Sequence, residues 1–209
     1  MRTALFYDTE TTGLPDFKAP SEAPHQPHLV QLGTCLVDLD TRATLASLDL
    51  IVRPEGWTIP DDVSAIHGIT TEMAMDLGVS ESMAVGLLME LWADWRPEQT
   101  ERVAHNEPFD ARILRIALMR YESQVLADRW KAGPAQCTAQ LSTSILKLPP
   151  TEKMLRAGFT KPKTPNLGEA YRFFTGRELE GAHRAMVDVQ ACMAVFFAIA
   201  DGVREAVAA

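Results

Sequence analysis

An uninterrupted apolar run opens the chain, Thr3 to Asp8 ("TALFYD"), too short for a helix and best read as a strand buried on both faces. The run ends at a pair of acids, Asp8 and Glu10, in "DTE". From Thr11 to about Pro27, Gly13, Pro15, Pro20, Pro24 and Pro27 predict a loop without regular structure. "HLVQLGTCLVDLD" and "TLASLDLIVRP" then read as two strands joined near "DTRA", a hairpin, so three strands come first and predict antiparallel pairing. Farther on, "SESMAVGLLMELWADW" has Ser80 as N-cap and an apolar face at Met83, Leu87, Leu91 and Trp95. A short strand at "RVAHN" leads into the helical "PFDARILRIALMRYE", with Phe109, Ile113, Ile116, Leu118 and Met119 apolar. "GPAQCTAQLSTSILKL" reads as a short strand then a helix, and two more helices are expected at 164–175 and from His183 to about Val207. Three strands followed by alternating strand and helix predict an α/β sandwich on a mixed central sheet, antiparallel first and then parallel.

Composition refines that picture. The chain has 209 residues, 46% hydrophobic and 23% charged, the size and make-up of one packed domain spanning 1–209. A formal charge of −8 excludes a protein coated in basic surface. It leaves room for a local groove: between Lys147 and Arg172 six basic residues face only Glu152 and Glu169. Cys35, Cys137 and Cys192 are far apart, with no CxxC pair, which suits buried thiols in a reducing cytoplasm. No apolar run is read as a membrane span and no leader is read at the N-terminus, so a cytoplasmic protein is expected.

The acids carry the chemistry. Side chains at i and i+2 of a strand share a face, so Asp8 and Glu10 converge, and two close carboxylates need either a shared proton or a cation. Hard oxygen donors favour Mg²⁺ or Mn²⁺. In "AHNEPFDARIL", Asp110 stands in the first turn of a helix. In "GAHRAMVDVQACM", His183 and Asp188 are five residues apart, about 140° on an ideal helix. They reach one site only if His183 lies on the loop before the helix, which Gly181 allows. Trp92, Trp95, His25 and His28 read as packing or loop residues.

"DTETTG", "HNEPFD" and "HRAMVD", in this order, resemble the three motifs of the DEDDh 3′-5′ exonucleases, a family that includes the proofreading subunit of bacterial DNA polymerase III. "AIHGIT" is similar to the family's segment beside the 3′-terminal nucleotide, and "PNLGEAYRFFTG" to its helix before the last motif. The resemblance implies a ribonuclease-H-like fold with two Mg²⁺ or Mn²⁺ ions about 3.5–4 Å apart. It implies that Asp8 bridges both ions, Glu10 and Asp188 complete the first, Asp110 supports the second, and His183 is the general base. It further implies substrate contacts from Thr11, Thr12, Gly13, Leu14, Ile66, His67, Asn106 and Phe109. The activity implied is release of nucleoside 5′-monophosphates from the 3′ ends of single-stranded or frayed DNA. With 21 residues beyond Asp188, a stand-alone repair role is expected rather than replicative proofreading. Trimming of RNA 3′ ends stays open, as does a non-catalytic nucleic-acid-binding adaptor. A homodimer stays open too, since related exoribonucleases assemble so.

Overall fold

The computed structural model describes residues 1–93 and 100–208. Its strands are β1 (Thr3–Thr11), β2 (Leu29–Asp38), β3 (Thr44–Ile51), β4 (Thr100–Ala104) and β5 (Ala135–Cys137). They form one mixed sheet in the order β3-β2-β1-β4-β5. The pairs β1/β2 and β2/β3 are antiparallel, while β1/β4 and β4/β5 are parallel, as the chain order predicts. The helices are α1 (Asp61–His67), α2 (Thr71–Leu77), α3 (Glu81–Ala93), α4 (Glu107–Tyr121), α5 (Gln124–Ala132), α6 (Thr138–Leu146), α7 (Glu152–Arg156), α8 (Leu167–Thr175) and α9 (Ala185–Ala208).

Alternation along β1 divides the core between the two faces of the sheet. Leu5 and Tyr7 point toward α3, α4 and α5, in a cluster with Leu88, Trp92, Ile113, Leu114 and Trp130. Ala4 and Phe6 point the other way, toward Val189 and Cys192 of α9, and Phe6 meets Phe196 edge to face at 5.2 Å. Gly33 lets β2 approach α9 closely: a Cβ there would lie 2.6 Å from the carbonyl carbon of Ala185. The start of α9 is thereby pressed against the sheet.

Several expectations change. β1 does not stop at the acids but continues to Thr11, because β2 pairs with it as far as Leu29. On α3 the expected apolar face is only partly the buried one: Leu91 packs on the core, but Met83 and Leu87 do not. Met83 is 54% and Leu87 40% exposed, whereas Ala84, Val85, Leu88, Met89 and Trp92 are buried. Two apolar stripes compete on this helix, and contact with β2 and α4 selects the one that includes Ala84. Trp95 lies outside the described residues. α1, α2, α5 and α7 were not anticipated. Each is short, so its caps, such as Thr70, Ser123 and Thr151, carry more signal than its periodicity. By length and composition Ala185–Gly202 of α9 could cross a membrane, contrary to the expectation. It nevertheless carries Asp188 and packs on β1 and β2 as a core helix.

The proline-rich segment 12–28 holds only turns and bends, as expected. It is folded over the buried side chain of Gln26, which donates to the carbonyls of Asp16 and Pro20 and accepts from the Asp16 amide. Two arginines of α4 strap it down. Arg112 donates to the Ser21 hydroxyl and the Ala19 carbonyl, and Arg120 to the carbonyls of Gln26 and Pro27.

The reassigned face of α3 predicts that Leu88→Ala lowers unfolding free energy by about 2–5 kcal/mol. Leu87→Ala, one residue away, stays within about 0.5 kcal/mol of the parent. Urea denaturation of the two variants checks this, and similar losses would contradict the assignment.

Candidate active site

The site arises where the parallel part of the sheet gives out. β4 pairs with β1 only from Thr3 to Phe6, then turns away into α4. Beyond Phe6 β1 has no further register pair with β4, and Asp8 and Glu10 project from this half-unpaired end. Crevices beyond the carboxyl ends of parallel strands are the usual binding places of such sheets.

Asp110 fills the gap that β4 leaves. Its Oδ1 accepts the Thr9 amide at 2.9 Å and the Thr9 hydroxyl at 2.7 Å, so a carboxylate replaces the missing strand. Asn106, at φ 67°, makes the left-handed turn that launches α4 and carries Asp110 to this position. On the opposite side α9 delivers Asp188. Its Oδ2 accepts the His183 amide at 2.9 Å, while its Oδ1 is buried without a partner among the described residues. His183 does lie on the loop before the helix, at φ 65°, with Gly181 also left-handed at φ 70°. Donor atoms of Glu10, His183 and Asp188 all fall within 4.8 Å of one another.

Electrostatics identify this as a place short of positive charge. Burial pushes the Asp8 carboxyl well above its ordinary range, helped by the neighbouring Asp110, Asp188 and Glu10. Glu10 is raised to about 7 by burial and by Asp188. Asp110 is raised to about 8 by burial, against the lowering effect of the bonds from Thr9. Burial also raises Asp188, opposed by the His183 amide. Carboxylates that resist ionisation together, one with an orphaned oxygen, suit divalent cations with hard-oxygen preference. Asp8, Glu10, Asp110 and Asp188 therefore fit as the residues that would hold them.

The other expected residues lie nearby in differing states. His67 is 3% exposed; its Nδ1 accepts the Ile69 amide, leaving Nε2 as a buried donor without a partner among the described residues. Burial and the nearby His183 push its imidazole down, which favours this neutral form. Ile66 and Leu14 are 57% and 85% exposed, free to meet a ligand. Thr11 and Thr12 are occupied within the loop: the Thr11 hydroxyl donates to the Gly13 carbonyl, and the Thr12 hydroxyl accepts the His28 amide. Asn106 is exposed, and Phe109 packs partly on the core. Of the six basic residues between Lys147 and Arg172, Lys163, Arg156 and Arg172 are paired with acids.

Two positioning residues were missed. Thr9 anchors Asp110, and Gln31, which pairs with Glu10 across the sheet, accepts the Ala185 amide at 3.2 Å and so fixes the turn carrying His183. Thr9 alternates with the acids and would be found by asking what faces away from them. Gln31 carries no such local signal, since its partner is 154 residues distant.

Comparison with known proteins bears on family and fold. The RNase T family model, described as exonuclease, matches residues 5–196. Similar solved structures include E. coli Exonuclease I in complex with a dT13 oligonucleotide, 19% identical with a TM-score of 0.72, covering 94% of this chain and 40% of that one. The complex of the same protein with dA16 gives 19%, 0.73, 96% and 41%, and its zinc-ion-bound complex with single-stranded DNA gives 18%, 0.70, 96% and 40%. At such identity these neighbours share the fold, and this chain spans about two fifths of their length. No curated protein matches the chain significantly in sequence. With the family match running from the first core strand into α9 and the motif acids gathered at one site, the chain belongs to the RNase T family of exonucleases, among the DEDDh 3′-5′ exonucleases.

Proposed function

We propose that residues 1–209 act as one catalytic domain that removes nucleotides from the 3′ end of single-stranded or frayed DNA, releasing nucleoside 5′-monophosphates. The observation that carries this reading is the clustering of Glu10 and Asp188 beside His183, with Asp8 and Asp110 close enough to interact with them electrostatically and Asp188 Oδ1 buried and unpartnered among the described residues. Single-stranded DNA is favoured because the similar E. coli Exonuclease I structures hold DNA oligonucleotides. Three free cysteines fit a reducing, cytoplasmic setting.

Two Mg²⁺ or Mn²⁺ ions held by the four carboxylates would supply neutralisation of charge on the phosphodiester and orientation of a water. The chain's own groups do the rest. A ring nitrogen of His183 takes a proton as the water oxygen bonds to phosphorus and the bond to the upstream 3′-oxygen breaks. Thr9 and the His183 amide hold Asp110 and Asp188 in place, so their carboxylates need not reorganise. The Nε2 donor of His67 is offered to the bound nucleotide, and Leu14 and Ile66 cover its base.

Mononucleotide release from matched DNA and RNA oligomers, with Mg²⁺ or Mn²⁺, tests the substrate. DNA cleavage is expected, and cleavage of RNA alone would assign the chain to RNA trimming instead. Asp8→Ala should lower the rate by roughly 10²-fold or more; full activity would contradict catalysis at this site and leave the adaptor reading. His183→Ala should cut turnover by roughly 10²–10⁴-fold with oligonucleotide binding retained, and an unchanged rate removes it as the base.

The raised carboxyls also set a pH dependence. Without cations, Glu10 and Asp110 keep protons in the folded state up to about 7 and about 8. In the unfolded chain they release them near pH ~4. In that window the folded state binds more protons, so their stabilisation is full below about pH 4 and is lost as pH rises through about 7–8. MgCl₂ should therefore raise the melting temperature of EDTA-treated protein more at about pH 8 than at about pH 5. An equal rise at both would show that these groups do not bind the cation.

A further inference from the structure

On the other side of the first turn of α4 from Asp110 lies a second, separate cleft of about 300 Å³. It is lined by Arg102, Arg112, Arg115 and Lys131, by Glu107, and by the ring of Phe17. Four cations against one carboxylate are unexpected on a chain of formal charge −8. The floor is more unusual than the count. Arg102 is 3% exposed, lies 4.3 Å over the Trp130 ring and donates to the Gly133 carbonyl, while its Nε and Nη1 have no partner among the described residues. Its counter-ion Glu107 sits at 3.4 Å and is shared with the Tyr7 hydroxyl. A buried guanidinium with two idle donors is costly unless something else neutralises it. The outer cations are only partly matched. Arg115 meets the half-exposed Asp128, and Asp16 and Glu22 lie near Arg112, whose guanidinium is pushed down by burial and by Arg115.

Phe17 points to the kind of anion. It is 62% exposed at the rim, where an aromatic ring has no packing reason to be. It stands three residues after Leu14, so one continuous loop edge, strapped to α4 by Arg112, runs from the carboxylate site to the cleft. An exposed ring beside clustered cations is what a single strand uses, stacking a base while its phosphate meets the charge.

We propose that this cleft is a subsite for a nucleotide upstream of the scissile one, with Phe17 stacking its base and Arg115 and Lys131 at its phosphate above the Arg102 charge. The assignment rests on the exonuclease reading and adds a grip on the strand that the carboxylate site does not supply.

The test uses the exposed pair, Phe17→Ala with Lys131→Glu, on the full chain with Mg²⁺. Two substrates separate the sites: a 16-nucleotide single-stranded DNA, and the p-nitrophenyl ester of thymidine 5′-monophosphate, too small to reach the cleft. KM for the oligomer should rise about 10-fold or more at unchanged kcat. Ester hydrolysis should stay as in the parent, and the salt dependence of oligomer binding should lose about 0.7 in logarithmic slope per phosphate contact removed. Parent values of oligomer KM and salt slope would overturn the subsite, as would an equal loss on the ester, which would mean damage to the catalytic site. Should the parent cleave neither substrate, the exonuclease reading fails by itself. Fluorescence anisotropy with the labelled oligomer then still decides the cleft: weaker binding by the variant upholds it and equal binding refutes it.

Discussion

Burial of four carboxylates close together at the half-unpaired end of β1 is the constraint on which the rest of the structure depends. Asp8, Glu10, Asp110 and Asp188 are all held above their ordinary ionisation range, chiefly by burial and, for Asp8, Glu10 and Asp110, partly by a neighbouring carboxylate. A fold tolerates such a cluster only if each acid is fixed by bonds that do not themselves cancel its charge. Backbone amides and a hydroxyl do this here: Thr9 for Asp110, and the His183 amide for Asp188. Among the described residues no arginine or lysine forms an ion pair with these acids, so the charge deficit is left for cations.

The sheet and its helices explain how those acids meet. Ending β4 at Ala104 exposes the β1 amide that Asp110 takes, and the left-handed Asn106 turns the chain into α4 at that point. Gly33 and Gln31 of β2 bring in the start of α9 from the opposite face. The turn before α9 then presents His183 beside Glu10 and Asp188. Core packing and site geometry are in this sense one arrangement, since the strand that lines both hydrophobic clusters also carries two of the acids.

Much of this was legible in the chain itself. Alternation and turn residues revealed the three antiparallel strands, and the order of the motifs picked out the five side chains that the fold brings together. Gly181 allowed a loop position for His183, which its φ of 65° bears out. What stayed hidden depended on partners distant in sequence. The end of β1 could not be found from its own residues, because β2 extends it past the acids. The buried stripe of α3 was ambiguous because two stripes are apolar and only β2 and α4 choose between them. Thr9 and Gln31 owe their importance to residues 101 and 154 positions away. The proline-rich loop read as unstructured, yet it is tied down by Gln26 from within and by Arg112 and Arg120 from α4.

The central claim is that the carboxylate cluster is a cation site. Anomalous scattering from crystals soaked in Mn²⁺ measures it directly. The account predicts manganese peaks bounded by Asp8, Glu10, Asp110 and Asp188, and their disappearance in Asp8→Asn crystals soaked identically. Manganese absent from these four side chains, or seated elsewhere in both crystals, would contradict it.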